Sequence, residues 1–209
     1  MIGVSQMTRV LACNDIRKFK KRPLVNPVSF ELSQGEGLAV CGYNGSGKTT
    51  LLDIIAGLIE PDEGRVNIKG SIGYVMQRPG FQESLSVKDN LHLEAALCGL
   101  HGQAAIDRIS LVADKCGLVD FFNTRYSKCS AGMQAKLSIA ASLMPSPNLL
   151  LLDEAFNALD DMSRFRMKEL FIEMKREGTA LIFVSHNKED FIGLCDRMMT
   201  LPSCEMVPT

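Results

Sequence analysis

The run Gly42-Tyr43-Asn44-Gly45-Ser46-Gly47-Lys48-Thr49-Thr50 decides the fold of this chain. It matches the pattern G-x-x-x-x-G-K-[ST], in which glycines let the backbone wrap around phosphate groups. The apolar stretch Leu38-Ala39-Val40-Cys41 precedes the run and predicts a buried strand, and residues 51–56 follow it and predict a helix. The free N–H groups and the dipole of a helix N-terminus face negative charge. The sequence therefore predicts a phosphate-binding loop here.

Individual residues of this loop have separate predicted roles. Lys48 would reach the β- and γ-phosphates of a nucleotide, the Thr49 hydroxyl would hold Mg²⁺, and Thr50 would lie near the α-phosphate. A chance glycine turn before a helix is the alternative, and the matching strand and helix on its two sides disfavour it. The other loop residues predicted to contact the nucleotide are Gly42, Asn44, Gly45, Ser46 and Gly47.

Composition narrows the class of protein. The 209 residues suffice for one domain with a sizeable core, or for a core with a small subdomain. Hydrophobic residues make up 46%, charged residues 22%, and the net charge is −1, so nothing indicates a nucleic-acid binder. The seven cysteines have no C-x-x-C or zinc-type spacing, which predicts reduced thiols and a cytosolic compartment. No apolar run reaches the length of a membrane span.

Predicted strands and helices alternate along the chain, which favours a parallel α/β sheet. The region from residue 84 to residue 145 differs, because it is mostly helical and predicts an inserted subdomain. Its first helix opens at the capping sequence Ser86-Val87-Lys88-Asp89 and runs toward Leu97. The remaining elements are predicted as strands at 9–13, 28–32, 65–69, 72–76, 149–152, 180–184 and 198–201, and as helices at 104–116, 132–143, 162–177 and 187–195.

Two acids follow the apolar run Leu149-Leu150-Leu151-Leu152, at the end of a predicted strand. Ligands of open α/β sheets bind at the carboxyl ends of strands. Asp153 is therefore placed to hold Mg²⁺, directly or through water, and Glu154 is placed as general base for an attacking water. A solvated strand exit is the alternative for such acids, and the phosphate-binding loop makes the functional interpretation the stronger one.

Two further polar residues follow predicted strands. His186 comes after the strand at residues 180–184 and could donate to the γ-phosphate, although a lone histidine in this position is usually structural. Gln77 comes after the strand at residues 72–76 and could orient water or touch Mg²⁺, although taken singly it would be a surface glutamine.

The order of these motifs resembles one family, the ATP-binding subunits of ABC transporters, over residues 9–201. Gln77 matches the Q-loop of that family, His186 its switch histidine, and Phe19 the aromatic residue that stacks on adenine. The other matches are Walker A at 42–49, the signature at 129–134, Walker B at 149–153 followed by Glu154, and the D-loop at 157–160.

The signature departs from the usual LSGGQ. Cys129 replaces the leucine, Ala131 the first glycine and Met133 the glutamine, whereas Ser130 and Gly132 remain. In the family, the serine and the N–H groups at the helix start contact the γ-phosphate held by the opposite subunit. Ala131 would conflict with this geometry if the backbone there has a positive φ, because alanine tolerates a positive φ poorly.

The resemblance implies a P-loop NTPase core with a parallel sheet, an N-terminal antiparallel β subdomain and the inserted α-helical subdomain, all within one domain of residues 1–209. Residues 1–83 and 146–209 would form the core and β subdomain, and 84–145 the helical subdomain. ATP and Mg²⁺ are the implied ligands. The implied catalytic residues are Glu154, His186, Lys48 and Gln77, the implied metal ligands are Thr49, Gln77 and Asp153, and the implied nucleotide contacts are the loop residues above with Phe19, Ser130 and Gly132.

The resemblance also implies partners and a location. Two such subunits, identical or different, would sandwich ATP head to tail and power a separate transmembrane permease, with export favoured over import and no nucleic acid expected. The permease would dock near residues 78–100, where Phe81, Leu85 and Leu97 are candidate contacts that could equally be core residues. The chain would lie on the cytoplasmic face of the membrane through that subunit.

Two other functions remain as alternatives. One is a soluble ABC-type ATPase that acts on a ribosome or DNA partner, and the other is a non-hydrolysing, ATP-gated interaction protein. Ribosome-acting members usually carry two cassettes in one chain, and DNA-repair members carry long coiled coils between their halves. The intact Glu154 and His186 argue against a non-hydrolysing protein.

Overall fold

The fold rests on two β-sheets, seen in a computed structural model that describes residues 8–19, 23–77 and 79–209. The first sheet is antiparallel and contains β1 (Arg9–Phe19), β2 (Pro23–Ser33) and β4 (Glu63–Ile68), in the order β2-β1-β4. Both β1 and β2 are longer than the sequence predicts, with 11 residues each. Register shifts in β1 explain the difference, because they interrupt the alternation of polar and apolar residues by which a strand is recognised.

The second sheet has six strands and carries the predicted phosphate-binding loop. In order across the sheet they are β5 (Ile72–Val75), β6 (Leu149–Asp153), β7 (Ala180–Val184), β3 (Gly37–Gly42), β8 (Arg197–Leu201) and β9 (Glu205–Pro208). All neighbours are parallel except β8 and β9. β7 lies between β3 and β6, so the carboxyl ends of these three strands meet at one edge of the sheet.

Each face of the parallel sheet packs against a separate apolar layer. Alternate residues of β6 point to opposite faces, so that Leu149 and Leu151 lie in one cluster and Leu150 and Leu152 in the other. One layer contains α1 (Lys48–Ile55) and the antiparallel sheet, and the other contains α5 (Asp161–Arg176) and the helical insert. Burial on both faces explains why β6 and β7 are almost wholly apolar.

Three helices and two 3₁₀ turns are inserted between β5 and β6. The helices are α2 (Val87–Leu97), α3 (Gly102–Lys115) and α4 (Ala131–Ser142), and the turns are Val119–Phe121 and Tyr126–Lys128. The predicted cap at Ser86 is confirmed, because its side chain accepts a hydrogen bond from the Asp89 N–H at 3.1 Å. No helix among the described residues is long and apolar enough to cross a bilayer.

One sequence-based assignment near the C-terminus is wrong, and one strand there is not predicted. The helix predicted at residues 187–195 is a single 3₁₀ turn, Lys188–Asp190, followed by turns in which Gly193 has a φ of 80°. A glycine in the left-handed region ends a helix instead of continuing it. The sequence also does not predict β9, because its pairing with β8 depends on tertiary contact and its own residues carry little apolar periodicity.

We expect Gly37→Ala to destabilise the protein, because a Cβ at this position would overlap the Leu194 carbonyl and lie 2.9 Å from the Cys195 Cα. Overpacking of this kind costs about 2 kcal/mol, which a thermal or urea unfolding curve would resolve. Gly80→Ala is the matched control, since a Cβ there meets no described residue within 4 Å and the glycine does not have a positive φ. Equal stability of the two variants would contradict the packing of β3 against the segment before β8.

Candidate nucleotide-binding site

A cavity of about 250 Å³ opens at the carboxyl edge of β3, β6 and β7. Its walls come from the loop after β3, the start of α1, and the segments that follow β5, β6 and β7. The structure thus brings together most of the site residues predicted from sequence. The lining residues are Asn44, Gly45, Gly47, Lys48, Thr49, Thr50, Gln77, Asp153, Glu154 and His186.

The loop between β3 and α1 depends on its glycines. Gly45 has a φ of 81°, and Gly47, the residue before α1, has a φ of 96° and a ψ of 9°, which only glycine adopts without strain. The ammonium of Lys48 is mostly buried and donates to the carbonyls of Gly42 at 2.8 Å and Tyr43 at 3.1 Å. The Lys48 ammonium therefore lies against the backbone of the loop, beside the free N–H groups at the start of α1.

Thr49 and Asp153 lie side by side as the metal prediction requires. The Thr49 hydroxyl donates to the Asp153 carboxylate at 2.7 Å across the gap between α1 and β6. Burial raises the pKa of Asp153, and the neighbouring carboxylates of Glu154 and Asp53 act in the same direction. A buried carboxylate among other carboxylates favours a bound cation, and oxygen ligands suit Mg²⁺.

A cation at this position would need further ligands. Among the described residues, no group of three or more His, Cys, Asp or Glu side chains is arranged to hold a metal ion. Mg²⁺ is commonly bound by one or two carboxylates with substrate phosphates and water, and the Thr49–Asp153 pair beside the phosphate-binding loop fits that mode.

Glu154 and His186 contact each other across the ends of β6 and β7. The His186 Nε2 lies 3.1 Å from Glu154 Oε1. The Glu154 side chain is 7% exposed, and its Oε2 has no hydrogen-bond partner among the described residues. A carboxylate oxygen that is buried without a partner in a cavity wall can accept a proton from a water molecule held there.

The backbone of Glu154 is held in an unusual conformation. Its φ is 54°, in the left-handed region that non-glycine residues rarely occupy, and its N–H donates to the Val184 carbonyl at 3.0 Å. Strain of this kind persists only where the surroundings fix the residue, and it clusters at functional sites.

Five predicted nucleotide contacts do not line this cavity. Phe19 is 43% exposed at the end of β1, where its N–H donates to the Asp62 carboxylate at 2.7 Å. Gly42 and Ser46 pack against each other, since a Cβ on the glycine would lie 2.5 Å from the serine oxygen. Ser130 and Gly132 belong to the helical insert and contribute no lining atoms. Residues 20–22, next to Phe19, and Arg78 lie outside the described residues.

Sequence reasoning missed a second carboxylate close to Asp153. The Tyr74 hydroxyl on β5 donates to Asp53 on α1 at 3.0 Å, and burial together with this carboxylate raises the pKa of the tyrosine. The available signal is spacing, because Asp53 follows Thr49 by four residues and therefore lies on the same face of α1.

Comparison with known proteins decides the family. Residues 25–157 match the family described as ABC transporter. The chain is 33% identical over 195 residues to the uncharacterized ABC transporter ATP-binding protein YybJ of Bacillus subtilis, with 88% of each protein covered. It is 31% identical over 183 residues to the O-antigen export system ATP-binding protein RfbB of Klebsiella pneumoniae, covering 87% of this chain and 74% of the relative. The chain belongs to the ABC transporter family.

A solved structure agrees with this assignment at the level of fold. The dimeric structure of MJ0796, described as a bacterial ABC transporter cassette, aligns with a TM-score of 0.84 over 91% of this chain and 94% of that one, at 24% identity. The predicted family and fold class are therefore confirmed. As a member of this family, the chain binds ATP and hydrolyses it to drive transport.

Residues 129–134, which the sequence predicts to be the signature, have a regular helix start. Ser130 is the N-cap of α4, and its hydroxyl accepts from the Met133 N–H at 3.2 Å. Ala131 is the first helical residue and does not have a positive φ, so the expected conflict of alanine with the backbone does not arise. Cys129 and Met133 fill apolar space in the core beneath the helix start. Gly132 approaches the segment predicted as the D-loop, because a Cβ on it would lie 3.2 Å from the Ala158 carbonyl.

We expect Ala131→Gly, which moves the signature toward the family pattern, to bring no gain in ATP turnover. The helix start already has its regular geometry, and glycine in place of an alanine that fits its backbone without strain costs about 0.4–1 kcal/mol, because the unfolded chain gains freedom. Steady-state ATP hydrolysis and thermal unfolding would check both parts. A several-fold rise in turnover would show that alanine constrains the signature after all.

Proposed function

We propose that ATP hydrolysed at this cavity powers a separate membrane-spanning subunit, and that the transport is export. One observation carries the proposal. A single cavity contains the phosphate-binding loop with Lys48, the paired Thr49 and Asp153, and the contact between Glu154 and His186. Export is favoured because RfbB, a similar protein, is named as part of an export system.

The proposed hydrolysis assigns a role to each charged side chain of the cavity, and Lys48 has to change its contacts when ATP binds. Lys48, whose ammonium lies against the loop carbonyls, would turn to the β- and γ-phosphate oxygens of ATP. Thr49, Asp153 and Gln77 would hold Mg²⁺, which would supply positive charge to offset the charge that develops on the phosphoryl group.

The proton of the attacking water would pass to Glu154, whose free Oε2 faces no competing donor among the described residues. The water oxygen forms a bond to the γ-phosphorus while the bond from that phosphorus to the bridging oxygen breaks, so that ADP and phosphate leave. The His186 ring, 51% exposed at its side chain and within 3.1 Å of Glu154, can donate to the γ-phosphate.

A second ATPase subunit would complete the site. The start of α4, with the Ser130 hydroxyl and the N–H groups of the first turn, is of a kind that favours anions, yet Ser130 and Gly132 do not line the cavity of their own chain. We propose that they contact the γ-phosphate bound by a partner cassette, in either a homodimer or a heterodimer. The MJ0796 cassette, which shares this fold, is itself described as dimeric.

The permease would dock on the helical insert, which would place the chain at the cytoplasmic face of the membrane. Of the three predicted contacts, Leu97 is 73% exposed and available to a partner. Phe81 is half-buried and packs on Tyr126, with ring centroids 5.3 Å apart, so it supports the surface from beneath. Leu85 is half-buried as well.

Two substitutions should separate binding from hydrolysis. Glu154→Gln removes the base but keeps the side-chain shape, so we expect turnover to fall by about 10²-fold or more with nucleotide affinity retained. Lys48→Ala removes the cation of the loop, so we expect nucleotide affinity itself to fall. Steady-state hydrolysis and equilibrium nucleotide titration measure the two effects. Near-normal turnover of Glu154→Gln would overturn the base assignment, and unchanged affinity of Lys48→Ala would overturn the phosphate-loop assignment.

Partner capture tests the transporter role directly. We expect the chain, purified from gently solubilised native membranes, to bring a multi-spanning membrane protein at near-equal stoichiometry, as identified by mass spectrometry. Leu97→Glu should reduce that recovery, because a charge on the docking surface opposes an apolar contact. A soluble preparation with ribosomal or DNA-repair components and no membrane protein would contradict the proposal and support the soluble alternative.

A further inference from the structure

Arg164, the fourth residue of α5, contacts the two segments that carry Glu154 and His186. One guanidinium nitrogen lies 3.4 Å from the Asp190 carboxylate in the 3₁₀ turn after β7. Another donates to the Phe156 carbonyl at 3.4 Å, two residues beyond Glu154. A single side chain therefore joins the segment after β6 to the segment after β7.

Asp190 is joined by hydrogen bonds to Ser185 and, through Ser185, to Asn187, the residues on either side of His186. Its buried carboxylate accepts a hydrogen bond from the Ser185 hydroxyl at 2.6 Å. The Ser185 oxygen in turn accepts the N–H of Asn187 at 3.0 Å. His186 lies between these two residues, so the chain of contacts fixes the backbone from which its ring projects.

The exposure of His186 makes these contacts important. Its side chain is 51% exposed, so little packing restricts the ring, and its distance from Glu154 depends on how the backbone is held. Asp190, by contrast, is nearly inaccessible to solvent and can hold a fixed position.

We propose that Arg164, Asp190 and Ser185 are positioning residues that set the approach of His186 to Glu154 for hydrolysis. The contacts of Arg164 with Asp190 and Phe156 are both long, so a small shift of either segment would weaken or tighten them. These two contacts of Arg164 thus link the position of the predicted D-loop, which begins just after Phe156, to the position of His186. This inference rests on the proposed roles of Glu154 and His186.

The test uses substitutions that remove one contact at a time in the full chain. Ser185→Ala removes the hydroxyl, Asp190→Asn keeps the shape but removes the charge, and Arg164→Lys keeps the charge but cannot reach both partners. We expect each to lower kcat by about tenfold, as misplacement of reacting groups does. Nucleotide affinity should stay within about twofold, because the phosphate-binding loop is untouched.

Lys168→Met is the matched control. Lys168 lies one turn further along α5 and donates to the Glu189 carbonyl at 2.9 Å, so it ties the same helix to the same turn without touching the carboxylate of Asp190. Its kcat should stay near that of the unmodified protein. Equal losses in the control and in the three variants would show that the network only stabilises the fold.

A double substitution tests whether the residues act as one unit. We expect Ser185→Ala combined with Asp190→Asn to be no worse than either alone, because both break the same connection. Fully multiplied losses would overturn the proposed chain of contacts. If Asp190→Asn does not fold, Ser185→Ala with the Lys168→Met control decides the question.

Failure of this inference differs from failure of the proposed function. If Glu154→Gln is inactive while the Ser185, Asp190 and Arg164 variants keep normal kcat, only the positioning network is wrong. If Glu154→Gln keeps its turnover, the proposed roles of Glu154 and His186 are wrong. The positioning proposal, which rests on those roles, is then wrong as well.

Discussion

The pairing of β7 with both β3 and β6 is the constraint on which the site depends. Val184 is the register partner of Val40 on one side and of Asp153 on the other. Because parallel strands in register end together, the phosphate-binding loop after β3, the acids after β6 and the histidine after β7 must meet at one edge. A shift of one residue in either pairing would turn each strand's side chains to the opposite face. The burial of these apolar strands on both sides prevents such a shift.

The electrostatics of the cavity follow from that convergence. Asp153 and Glu154 bring two carboxylates into the cavity wall and Asp53 acts on Asp153 from α1, whereas Lys48 is the one lysine or arginine that lines the cavity among the described residues. Neighbouring carboxylates repel each other unless a cation binds between them. Phosphate groups, in contrast, are stabilised by the N–H groups of the loop and by the N-terminus of α1. The two requirements are complementary, because a nucleotide bound with Mg²⁺ would bring both the cation that the carboxylates need and the phosphate groups that the loop and helix start need.

Much of this could be predicted from local sequence. The glycines of the loop, the apolar strands and the Ser86 cap each depend on neighbours within a few residues, and the structure agrees with each of them. The helix assigned at residues 187–195 failed because Gly193 has a left-handed φ there, and because Asp190 and Lys168 tie the short 3₁₀ turn to other elements. The doubt about Ala131 also came from the sequence alone, and the backbone removes it by placing this residue in regular helix.

The sequence by itself determined the type of chemistry, because a lysine and a threonine after a glycine loop suit phosphate and metal in any correctly flanked strand and helix. Only the tertiary structure decided which residues share the cavity. It placed Tyr74 against Asp53 and joined Arg164 to both Asp190 and Phe156, and it left Phe19, Ser130 and Gly132 outside. The physical reason is distance along the chain. Local rules set how each segment folds, whereas sheet order and packing bring together residues that lie far apart in sequence.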